Sequence, residues 1–440
     1  DVTAAAATSI VVSGNNGLNM GTNTAAKVTS FDASAVAGDN STEDIAANLA
    51  VTYASDNVTA GANLTIKGGA GNDTLTGNKN ADTITGGAGS DALAGSTGAD
   101  TISGGTGTDT YVMTSAQIAA NIEGAGTGTS TGLAVNLGAT TVTGAAVLAA
   151  TGQNLKSAAS LASNTVGYVY NGELSTNSGV IDTLTSVENV TLATAGIHYV
   201  MGSATANTID MGVAANVTAV DYINAGLGAD VVKITADADA TGAVFDDLVG
   251  VETISITKAG TSAAKVTLTF TSADTTAITI DGTGLTGGTA SFTLVASDAE
   301  VDGALNIKLS AGDDTIGLGD GADTIVFSGS TLASNGADTI TAHQTNDIYD
   351  LSGVLTSGSF ANATSGTAIT IGSAASLAVS GTTIAVAANE VYVAEVALTA
   401  KIDTAAELIT ALTNSGVMDA VDFAASAEAI LIVGGANADI

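Results

Sequence analysis

The segment from Gly68 to Val112 divides into five consecutive blocks of nine residues without a slip in register. The blocks read GGAGNDTLT, GNKNADTIT, GGAGSDALA, GSTGADTIS and GGTGTDTYV. The sixth place of each block is an aspartate: Asp73, Asp82, Asp91, Asp100 and Asp109. The eighth place is always apolar: Leu75, Ile84, Leu93, Ile102 and Tyr111. A repeat this short and regular leaves room for only one small structural unit per block, so it constrains the fold more than any other feature of the chain.

Glycines recur within the first six places of each block. The first place is always glycine: Gly68, Gly77, Gly86, Gly95 and Gly104. The fourth place is glycine in four blocks: Gly71, Gly89, Gly98 and Gly107. The second block has Asn80 there, and asparagine is among the few residues besides glycine that tolerate positive φ. The blocks therefore predict a six-residue turn followed by a three-residue strand whose middle side chain points inward.

The same residues predict a metal site made by repetition. One carboxylate per turn, among glycines that expose backbone carbonyl groups, offers the hard oxygen ligands that calcium prefers. Stacked turns would bring like-charged aspartates together, and a divalent cation would remove that repulsion. A flexible linker rich in glycine and aspartate is the alternative, but five in-register repeats with an apolar eighth place do not favour it. The five aspartates and nine glycines above are therefore candidate contributors to calcium sites.

These nonapeptides closely resemble the RTX family of calcium-binding repeats. The resemblance implies a parallel β-roll in which two nonapeptides form one coil, so that aspartates eighteen residues apart share an ion. It pairs Asp73 with Asp91, Asp82 with Asp100, and Asp91 with Asp109, which makes Asp91 the only aspartate with a neighbour on both sides. It also implies export through an uncleaved C-terminal signal, so the lack of a signal peptide does not imply a cytoplasmic location.

Weaker copies of the motif follow later in the chain. Asp314 and Asp323 stand nine residues apart, each in a Gly-x-Asp-x-Ile context, and we expect this pair to bind calcium. Asp338 comes fifteen residues later and out of register, and Asp230 belongs to a lone copy. A solitary Gly-x-Asp turn is often only a turn, so for Asp230 and Asp338 a calcium site and a plain turn both remain open.

Longer repeats surround these motifs. The strand-like pattern from Asp182 to Leu192, which includes Val187-Glu188, returns 64 residues later from Asp246 to Ile256 with Val251-Glu252. The stretch Leu64–Leu75 returns 241 residues later as Leu305–Ile316. Alternating apolar residues mark these stretches as strands with one buried face. A β-segment leading into a calcium array is therefore expected to occur twice.

Composition supports an all-β fold. Hydrophobic residues make up 45% of the chain but aromatic residues only 3%, so the apolar side chains are small and suit the thin cores of stacked coils. The chain has no proline, which suits ladders that need every backbone N–H. We expect an elongated parallel β-roll or β-solenoid with short β-rich segments. Its expected divisions are 1–67, 68–115, 116–200, 201–350 and 351–440, with a short C-terminal helix near 404–415.

Charge and motif content exclude several function classes. The 440 residues carry 43 acidic groups against 9 basic ones, a net charge of −34, which disfavours nucleic-acid binding. Cysteine is absent, and no apolar run reaches membrane-spanning length. The two histidines, His198 and His343, do not form the HExxH motif of zinc proteases. A non-enzymatic protein is expected, with His198 in a structural role.

Further features resemble bacterial surface-layer proteins of the RTX class. They are the run Val28–Val36 before the array, the two Val-Glu strands, and a composition dominated by Ala, Thr, Gly and Ser. The resemblance implies an extracellular, self-assembling lattice subunit, with cell-surface polysaccharide as a candidate second partner. The segment Asp338–Leu351 instead resembles the one that closes RTX arrays in secreted adhesins and hydrolases, so the calcium-binding and secretion region of such a protein is the alternative. Ice binding is disfavoured because Thr74 would stack on Ala92, which breaks a threonine row.

The array is predicted to fold only with calcium. Its five aspartates are accompanied by a single lysine, Lys79, so residues 68–112 carry a net charge of −4. Calcium binding free energy would then become folding free energy. Circular dichroism and thermal melts at neutral pH should therefore differ between calcium and chelator. Identical spectra and melts in the two conditions would contradict the prediction.

Overall fold

The computed structural model describes most of the chain up to residue 350 and four strands beyond it. Described residues run from 5 to 350, with gaps at 21–24, 39–45, 97, 114–128, 156–159, 172–181, 193–194, 238–241, 246–247, 259–263, 271–276, 297–302, 320, 330–334, 337 and 342–346. The later strands are β32 (Ile384–Val386), β33 (Val391–Leu398), β34 (Val421–Phe423) and β35 (Glu428–Gly435).

Three sheets contain almost all of the strands before residue 350. The long sheet has thirteen strands, in spatial order: β2 (Leu18–Asn19), β4 (Val51–Ala54), β6 (Thr74–Thr76), β8 (Ala92–Ala94), β10 (Thr110–Val112), β17 (Asn189–Thr191), β19 (Thr208–Val213), β21 (Val231–Ala236), β23 (Thr253–Lys258), β25 (Ile278–Gly284), β27 (Leu305–Lys308), β29 (Thr324–Val326) and β31 (Ile348–Asp350). Every pairing in this sheet is parallel.

The mixed sheet has eleven strands. Their order is β1 (Ser9–Gly14), β3 (Ser30–Val36), β5 (Thr65–Lys67), β7 (Thr83–Ala88), β9 (Thr101–Thr106), β16 (Asp182–Thr185), β15 (Thr165–Asn171), β11 (Thr129–Asn136), β18 (Tyr199–Met201) and β20 (Tyr222–Asn224), with β13 (Asn154–Leu155) beside β15. The short sheet has five parallel strands: β22 (Gly242–Phe245), β24 (Lys265–Phe270), β26 (Ser291–Val295), β28 (Thr315–Gly317) and β30 (Thr339–Thr341).

The chain alternates between sheets, which makes it a solenoid of stacked coils. Through the nonapeptides, odd strands from β5 to β9 join the mixed sheet and even strands from β6 to β10 join the long sheet. Thr65 pairs with Thr83 and Thr83 with Thr101, so each coil consists of two nonapeptides. The expected all-β fold with a parallel β-roll is confirmed.

One inserted segment departs from the parallel pattern. The chain leaves the roll after β10 and returns at β16, and β11 and β15 between them join the mixed sheet. Strand β15 runs antiparallel to both β11 and β16. This segment lies within the division expected at 116–200, and its antiparallel strands cover the edge that β16 would otherwise leave open.

The insertion also contains an unpredicted helix. Helix α1 (Gly144–Thr151) begins after Thr143, whose side chain accepts a hydrogen bond from the Ala146 N–H at 3.2 Å. It ends at Gly152, which has a φ of 69°. A two-stranded antiparallel sheet of β12 (Val142–Thr143) and β14 (Ser160–Leu161) adjoins it. The threonine cap and terminal glycine were signals for this helix.

The helix expected near 404–415 lies outside the described residues. Strands β33 and β35, on either side of it in the sequence, pair in parallel. Strands β32 and β34 form a second parallel pair. The described segments at this end of the chain are therefore β-strands.

The core is one thin apolar cluster between facing sheets. The eighth residues of the nonapeptides are inside it, with exposures of 1% or less: Leu75, Ile84, Leu93, Ile102 and Tyr111. The cluster continues from Met20 to Ile325. A smaller cluster, which includes Val147, Leu155 and Tyr199, lies under the insertion.

Strands β6, β8 and β10 have the expected three residues, whereas β7 and β9 have six, so the expected strand length is wrong on the mixed sheet.

The two copies of the repeat that are 241 residues apart begin in different sheets. Leu64–Lys67 contributes β5 to the mixed sheet, whereas its counterpart Leu305–Lys308 is β27 in the long sheet. The second copy of the β-segment thus occupies the opposite face of the solenoid. The two Val-Glu strands do share a sheet, since β17 and β23 both belong to the long sheet.

Replacement of an inward residue should cost far more stability than replacement of its outward neighbour. Ile84 is fully buried and Thr83 is exposed in the same strand. We expect Ile84→Ala to lower the free energy of unfolding in calcium by about 2–5 kcal/mol, because it leaves a cavity in a thin core. Thr83→Ala is the matched control and should change it by less than about 1 kcal/mol. Urea unfolding followed by circular dichroism measures both, and equal losses would contradict the assignment of faces.

Candidate metal centre

A ladder of carboxylates connects successive coils at the start of the long-sheet strands. The backbone N–H of Asp73 donates to Oδ1 of Asp91 at 2.8 Å, and the N–H of Asp91 donates to Oδ1 of Asp109 at 2.8 Å. At the first step, the N–H of Val51 donates to Oδ1 of Asp73 at 2.7 Å. Each side chain therefore caps the backbone of the preceding coil, and the register of the stack depends on these bonds.

This ladder extends far beyond the nonapeptides. The strand register places one polar residue before each long-sheet strand over seven coils, a set that we name the long-sheet column: Asp73, Asp91, Asp109, Glu188, Asn207, Asp230 and Glu252. The N–H of Asp109 donates to Oε2 of Glu188 at 2.8 Å. The N–H of Asn207 donates to Oδ1 of Asp230 at 2.6 Å. The strand register of the column is continuous, although between Glu188 and Asn207 the contact is reversed, with the Asn207 side-chain amide donating to the Glu188 carbonyl oxygen.

A second column serves the mixed sheet. The N–H of Asp82 donates to Oδ1 of Asp100 at 2.8 Å, and the N–H of Asp100 donates to Oδ1 of Asp182 at 2.9 Å. The N–H of Leu64 opens this column by donating to Oδ1 of Asp82 at 2.8 Å. Asp182 closes it, because its other oxygen, Oδ2, accepts a hydrogen bond from the Tyr111 hydroxyl at 2.6 Å.

The second carboxylate oxygen separates these aspartates into two groups. Oδ2 of Asp73 accepts the Gly69 N–H at 2.6 Å, and Oδ2 of Asp82 accepts the Asn78 N–H at 2.5 Å. Among the described residues, six aspartates instead have a buried Oδ2 with no hydrogen-bond partner: Asp56, which lies outside the columns, and Asp91, Asp100, Asp109, Asp230 and Asp323. A buried carboxylate oxygen without a partner carries a large desolvation cost. A cation bound there would remove that cost.

Glycine at the first place of each block makes space for these oxygens. A Cβ on Gly68 would overlap Oδ2 of Asp73 and the carbonyl oxygen of Gly86. A Cβ on Gly86 would likewise overlap Oδ2 of Asp91 and lie 2.6 Å from the carbonyl oxygen of Gly104. The same overlap with the Oδ2 of the block's own aspartate occurs at the three other first-place glycines: Gly77, Gly95 and Gly104. Carboxylate and carbonyl oxygens thus converge where a side chain would otherwise be.

The fourth-place glycines have a different role. A Cβ on Gly71, Gly89, Gly98 or Gly107 would overlap the backbone of the preceding coil. Gly89 and Gly107 also have positive φ, at 118° and 130°. Asn80 does not have positive φ, so that expectation is wrong. The Asn80 side chain is tolerated because it reaches the loop before the array, where its Oδ1 accepts the Gly61 N–H at 2.7 Å.

Burial makes these carboxylates difficult to ionise without a cation. Burial, together with the neighbouring carboxylates of Asp73 and Asp109, raises the pKa of Asp91 to about 7. Burial and the carboxylate of Asp182 raise the pKa of Asp100 to about 8. Burial also raises the pKa values of the remaining array aspartates: Asp73, Asp82 and Asp109. The calcium-free fold therefore favours neutral carboxyl groups, whereas a bound cation would favour the ionised form.

The donor set fits calcium. No three His, Asp or Glu side chains of the described residues converge on one point, so a site here would combine one or two carboxylates with backbone carbonyl groups. Calcium takes six to eight oxygen ligands in flexible geometry, and it accepts both kinds. Sequence reasoning named the array aspartates, and the structure brings together all three predicted pairs. Bound calcium would neutralise the stacked charge and hold adjacent coils together.

Sequence reasoning missed the residues that extend the columns. Asp182 and Glu188 are 82 and 79 residues from the aspartates whose N–H groups they accept. Asp91 is therefore not alone in having neighbours on both sides, since Asp100 lies between Asp82 and Asp182. Asp109 likewise lies between Asp91 and Glu188. The repeated Val-Glu strands were the available signal, because Glu188 and Glu252 occupy the same column.

The later candidates form similar pairs with wider spacing. The N–H of Asp314 donates to Oδ1 of Asp338, and the N–H of Asp323 donates to Oδ1 of Asp347, each at 3.0 Å. Burial raises the pKa values of Asp323 and Asp338 to about 6. The pairs connect residues 24 apart, so Asp314 and Asp323 do not pair with each other. Asp338, which departs from the nine-residue spacing in the sequence, is therefore aligned with Asp314 on the adjacent coil.

His198 is fully buried in the mixed sheet. Its Nδ1 accepts the Leu133 N–H at 3.2 Å, and its backbone N–H donates to Oδ1 of Asp221 at 2.6 Å. These contacts join three neighbouring parts of the sheet and agree with a structural role. His343 lies outside the described residues.

Comparison with known proteins identifies the repeats. The family model of the RTX calcium-binding nonapeptide repeat matches residues 65–93, 85–112 and 306–328. The first two matches cover the array, and the third covers Asp314 and Asp323. No curated protein matches the chain. RTX nonapeptide repeats are calcium-binding motifs, which agrees with the donor set described above.

Asp91 and Asp73 should differ in their contribution to calcium binding. Oδ2 of Asp91 has no partner within the protein, whereas both oxygens of Asp73 accept backbone N–H groups. We expect Asp91→Asn to lower calcium stoichiometry and to lose about 2.7 kcal/mol of calcium-linked stability, the value for a site in about 100-fold excess of Kd. Asp73→Asn is the matched control and should lose less. Calorimetric titration and thermal melts measure both, and equal losses would count against the orphaned oxygen as a ligand.

Protonation of the buried carboxyl groups should partly replace bound calcium in stabilising the fold. The folded-state pKa values of about 7 and 8 for Asp91 and Asp100 lie above the unfolded value of about 3.9. Neutral carboxyl groups therefore stabilise the calcium-free fold fully below about pH 4, and this contribution is lost as pH rises through the folded-state values. Calcium-free protein should gain β-sheet circular dichroism from pH 8 to pH 5. The Asp91→Asn, Asp100→Asn double variant should show a weaker pH response, and a wild-type signal that falls with acid would contradict this account.

Proposed function

We propose that this chain, which contains calcium-binding nonapeptide repeats of the RTX type, serves as a structural subunit of a calcium-dependent bacterial surface layer. The observation that carries the proposal is the continuity of the stack. The long sheet pairs thirteen strands without a break, and one apolar cluster runs beneath it from Met20 to Ile325. A stack of this kind provides a rigid unit with repeating outer faces, which is what a lattice requires.

The outer faces suit contacts between identical subunits. Outward residues of the strands are mostly small and hydroxylated, as in the row Thr65, Thr83, Thr101 and Thr183 on the mixed sheet. The three ion pairs found among the described residues join lysine and aspartate in adjacent strands, so they act within the subunit: Asp32–Lys67, Asp210–Lys233 and Asp281–Lys308. Most acidic groups are therefore left without a lysine, and cations are needed for subunits to approach one another.

The chemistry present supports a structural role over an enzymatic one. Neither histidine belongs to a zinc-protease motif, and His198 is occupied by sheet contacts. The buried carboxylates that could serve as acids or bases are engaged with backbone N–H groups of neighbouring coils. No helix of the described residues is long and apolar enough to cross a membrane. Secretion is typical of RTX repeat proteins, and we place this one at the cell exterior, with cell-surface polysaccharide as its second partner.

A second candidate function has one observation in its favour. Strand β31, in the segment that resembles the end of RTX arrays in adhesins and hydrolases, is the last strand of the long sheet. Under this alternative, the chain is the calcium-binding and secretion region of a larger adhesin or hydrolase. Negative-stain microscopy with calcium and with chelator separates the two functions, because only a surface-layer subunit should form ordered sheets.

Calcium should drive assembly at a concentration at or above that needed for folding. With a net charge of −34, subunits repel one another, and monovalent salt only screens the repulsion to a range of about 10 Å at about 0.1 M. Calcium can coordinate carboxylates from two chains. Light scattering should therefore rise above a calcium threshold that NaCl of equal ionic strength does not reproduce, with circular dichroism recorded in the same titration. A protein that folds with calcium but stays monomeric at high concentration would favour the second candidate.

A further inference from the structure

His198 occupies a place in the mixed sheet that aspartates hold elsewhere. The strand register aligns Leu133 of β11 with His198 and Asp221, the residues that precede β18 and β20. The Leu133 N–H donates to Nδ1 of His198 at 3.2 Å, and the His198 N–H donates to Oδ1 of Asp221 at 2.6 Å. Asp100 accepts the N–H of Asp82 in the same way, so an imidazole here replaces one carboxylate of the pattern.

The contact between Leu133 and His198 requires a neutral ring. An imidazole nitrogen accepts a hydrogen bond only when it carries no proton, so the proton of the His198 ring is on Nε2. A proton on Nδ1 would set two N–H donors against each other, and both residues are buried, with exposures of 0% and 1%. A buried donor without its acceptor, beside a buried charge, destabilises the folded form. An aspartate would keep an accepting oxygen even when protonated, so histidine alone makes this contact depend on its proton.

This contact lies where the insertion joins the later coils of the solenoid. In the mixed sheet, β15 and β11 stand between β16 and β18, so β11 provides the link to β18 and β20. Three residue pairs form the ladder between β11 and β18. The backbones approach closely at its start, because a Cβ on Gly132 would overlap the Ile197 carbonyl oxygen. We name this ladder, with the hydrogen bond from Leu133 to His198, the insertion joint.

Asp221 is the charged group beside His198 on the β20 side. Its Oδ2 accepts the N–H and the hydroxyl group of Thr218 at 2.7 and 3.0 Å, which holds the carboxylate in place. Burial raises the pKa of Asp221, whereas its hydrogen bonds and the electrostatic effect of His198 lower it. An ionised Asp221 attracts a protonated ring and offsets part of the cost of burying that charge.

The other described neighbours of the ring carry no charge. On β11, residues 132–136 are Gly, Leu, Ala, Val and Asn. Tyr199 and Tyr222 stack on each other with ring centroids 4.8 Å apart, and they belong to the smaller apolar cluster on the opposite face of the sheet. The inward residues of the facing strands β17 and β19 are apolar: Val190, Ile209 and Met211. The response of the insertion joint to acid should therefore depend on His198 and Asp221.

We propose that His198 makes the insertion joint sensitive to pH. The neutral ring closes the joint, and protonation opens it, so that β11 separates from β18 while the long sheet still connects β10, β17 and β19. The closed joint holds the neutral ring and the open joint admits the proton. Because free histidine takes up a proton near about pH 6.5, this stabilisation is complete above that pH and is lost as pH falls below it. The proposal requires neither assembly nor a surface layer, so it fails separately from the proposed function.

Hydrogen exchange of the full-length protein in saturating calcium, measured by mass spectrometry at about pH 7.5 and about pH 5.5, tests the proposal. After correction for intrinsic rates, peptides covering 129–136 and 198–201 should exchange about tenfold faster at the lower pH, the effect of one lost buried hydrogen bond. His198→Asn keeps an accepting oxygen in the place of Nδ1 and cannot take up a proton, so its joint should stay closed at both pH values. Protection of residues 68–112 at the higher pH shows that the variant is folded.

Two further variants serve as controls. His343→Asn removes the other histidine of the chain and should respond as the wild type does. Asp221→Asn keeps an acceptor for the His198 N–H but removes the attraction for a protonated ring, so it should move the opening to lower pH.

NMR spectra of the two histidine rings complete the test in the wild-type protein, with the His198 signal identified by its loss in His198→Asn. The ring should take up its proton over the same pH range in which exchange at 129–136 accelerates. This measurement decides the question even if a variant fails to fold. The proposal is overturned if His198→Asn keeps the wild-type response to acid, or if the ring is protonated without faster exchange at 129–136.

Discussion

The fold depends on hydrogen bonds from the backbone of one coil to a carboxylate of the next. In each column an aspartate side chain accepts the N–H of the equivalent residue one coil earlier, as Asp91 does for Asp73 and Asp100 for Asp82. These bonds fix the register of the stack, but they also bury a row of like charges. Desolvation raises the pKa of every array aspartate. The same contact therefore orders the coils and creates the requirement for calcium.

The ends of the columns show how that requirement is met without a cation. Oδ2 of Asp182 accepts a hydrogen bond from the Tyr111 hydroxyl, whereas the Oδ2 atoms of Asp91 and Asp100 have no partner. At Asp73 and Asp82 a backbone N–H of the same turn has this role. Asp73, Asp82 and Asp182 are thus closed by protein groups, whereas Asp91, Asp100 and Asp109 between them keep an oxygen that a calcium ion would bind. This arrangement makes the middle of the array the most calcium-dependent part of the stack.

The insertion between β10 and β16 shows that the stack tolerates interruption. The chain leaves the roll for an antiparallel segment with a helix, yet Asp182 and Glu188 return to the positions that the next coil would have filled. Both sheets therefore continue across the gap. A thin core of small residues helps, because each coil buries its apolar residues mainly against its neighbours. Calcium-linked order in the array can then reach the faces through which subunits of the proposed lattice meet.

The sequence by itself determined the all-β class, the inward residues such as Leu93 and Ile102, and the array aspartates, whereas the two-nonapeptide coil was implied by the resemblance to RTX repeats. It could do so because a nine-residue period defines turn, strand and carboxylate within a single local unit. Only the tertiary structure decided which remote residues complete the columns, namely Asp182, Glu188, Asp230 and Glu252. It also decided that the second copy of the β-segment lies on the opposite sheet and that β15 runs antiparallel. Coil length varies outside the array, so residues that meet in space there are 18 to 82 positions apart, and no fixed local spacing identifies them.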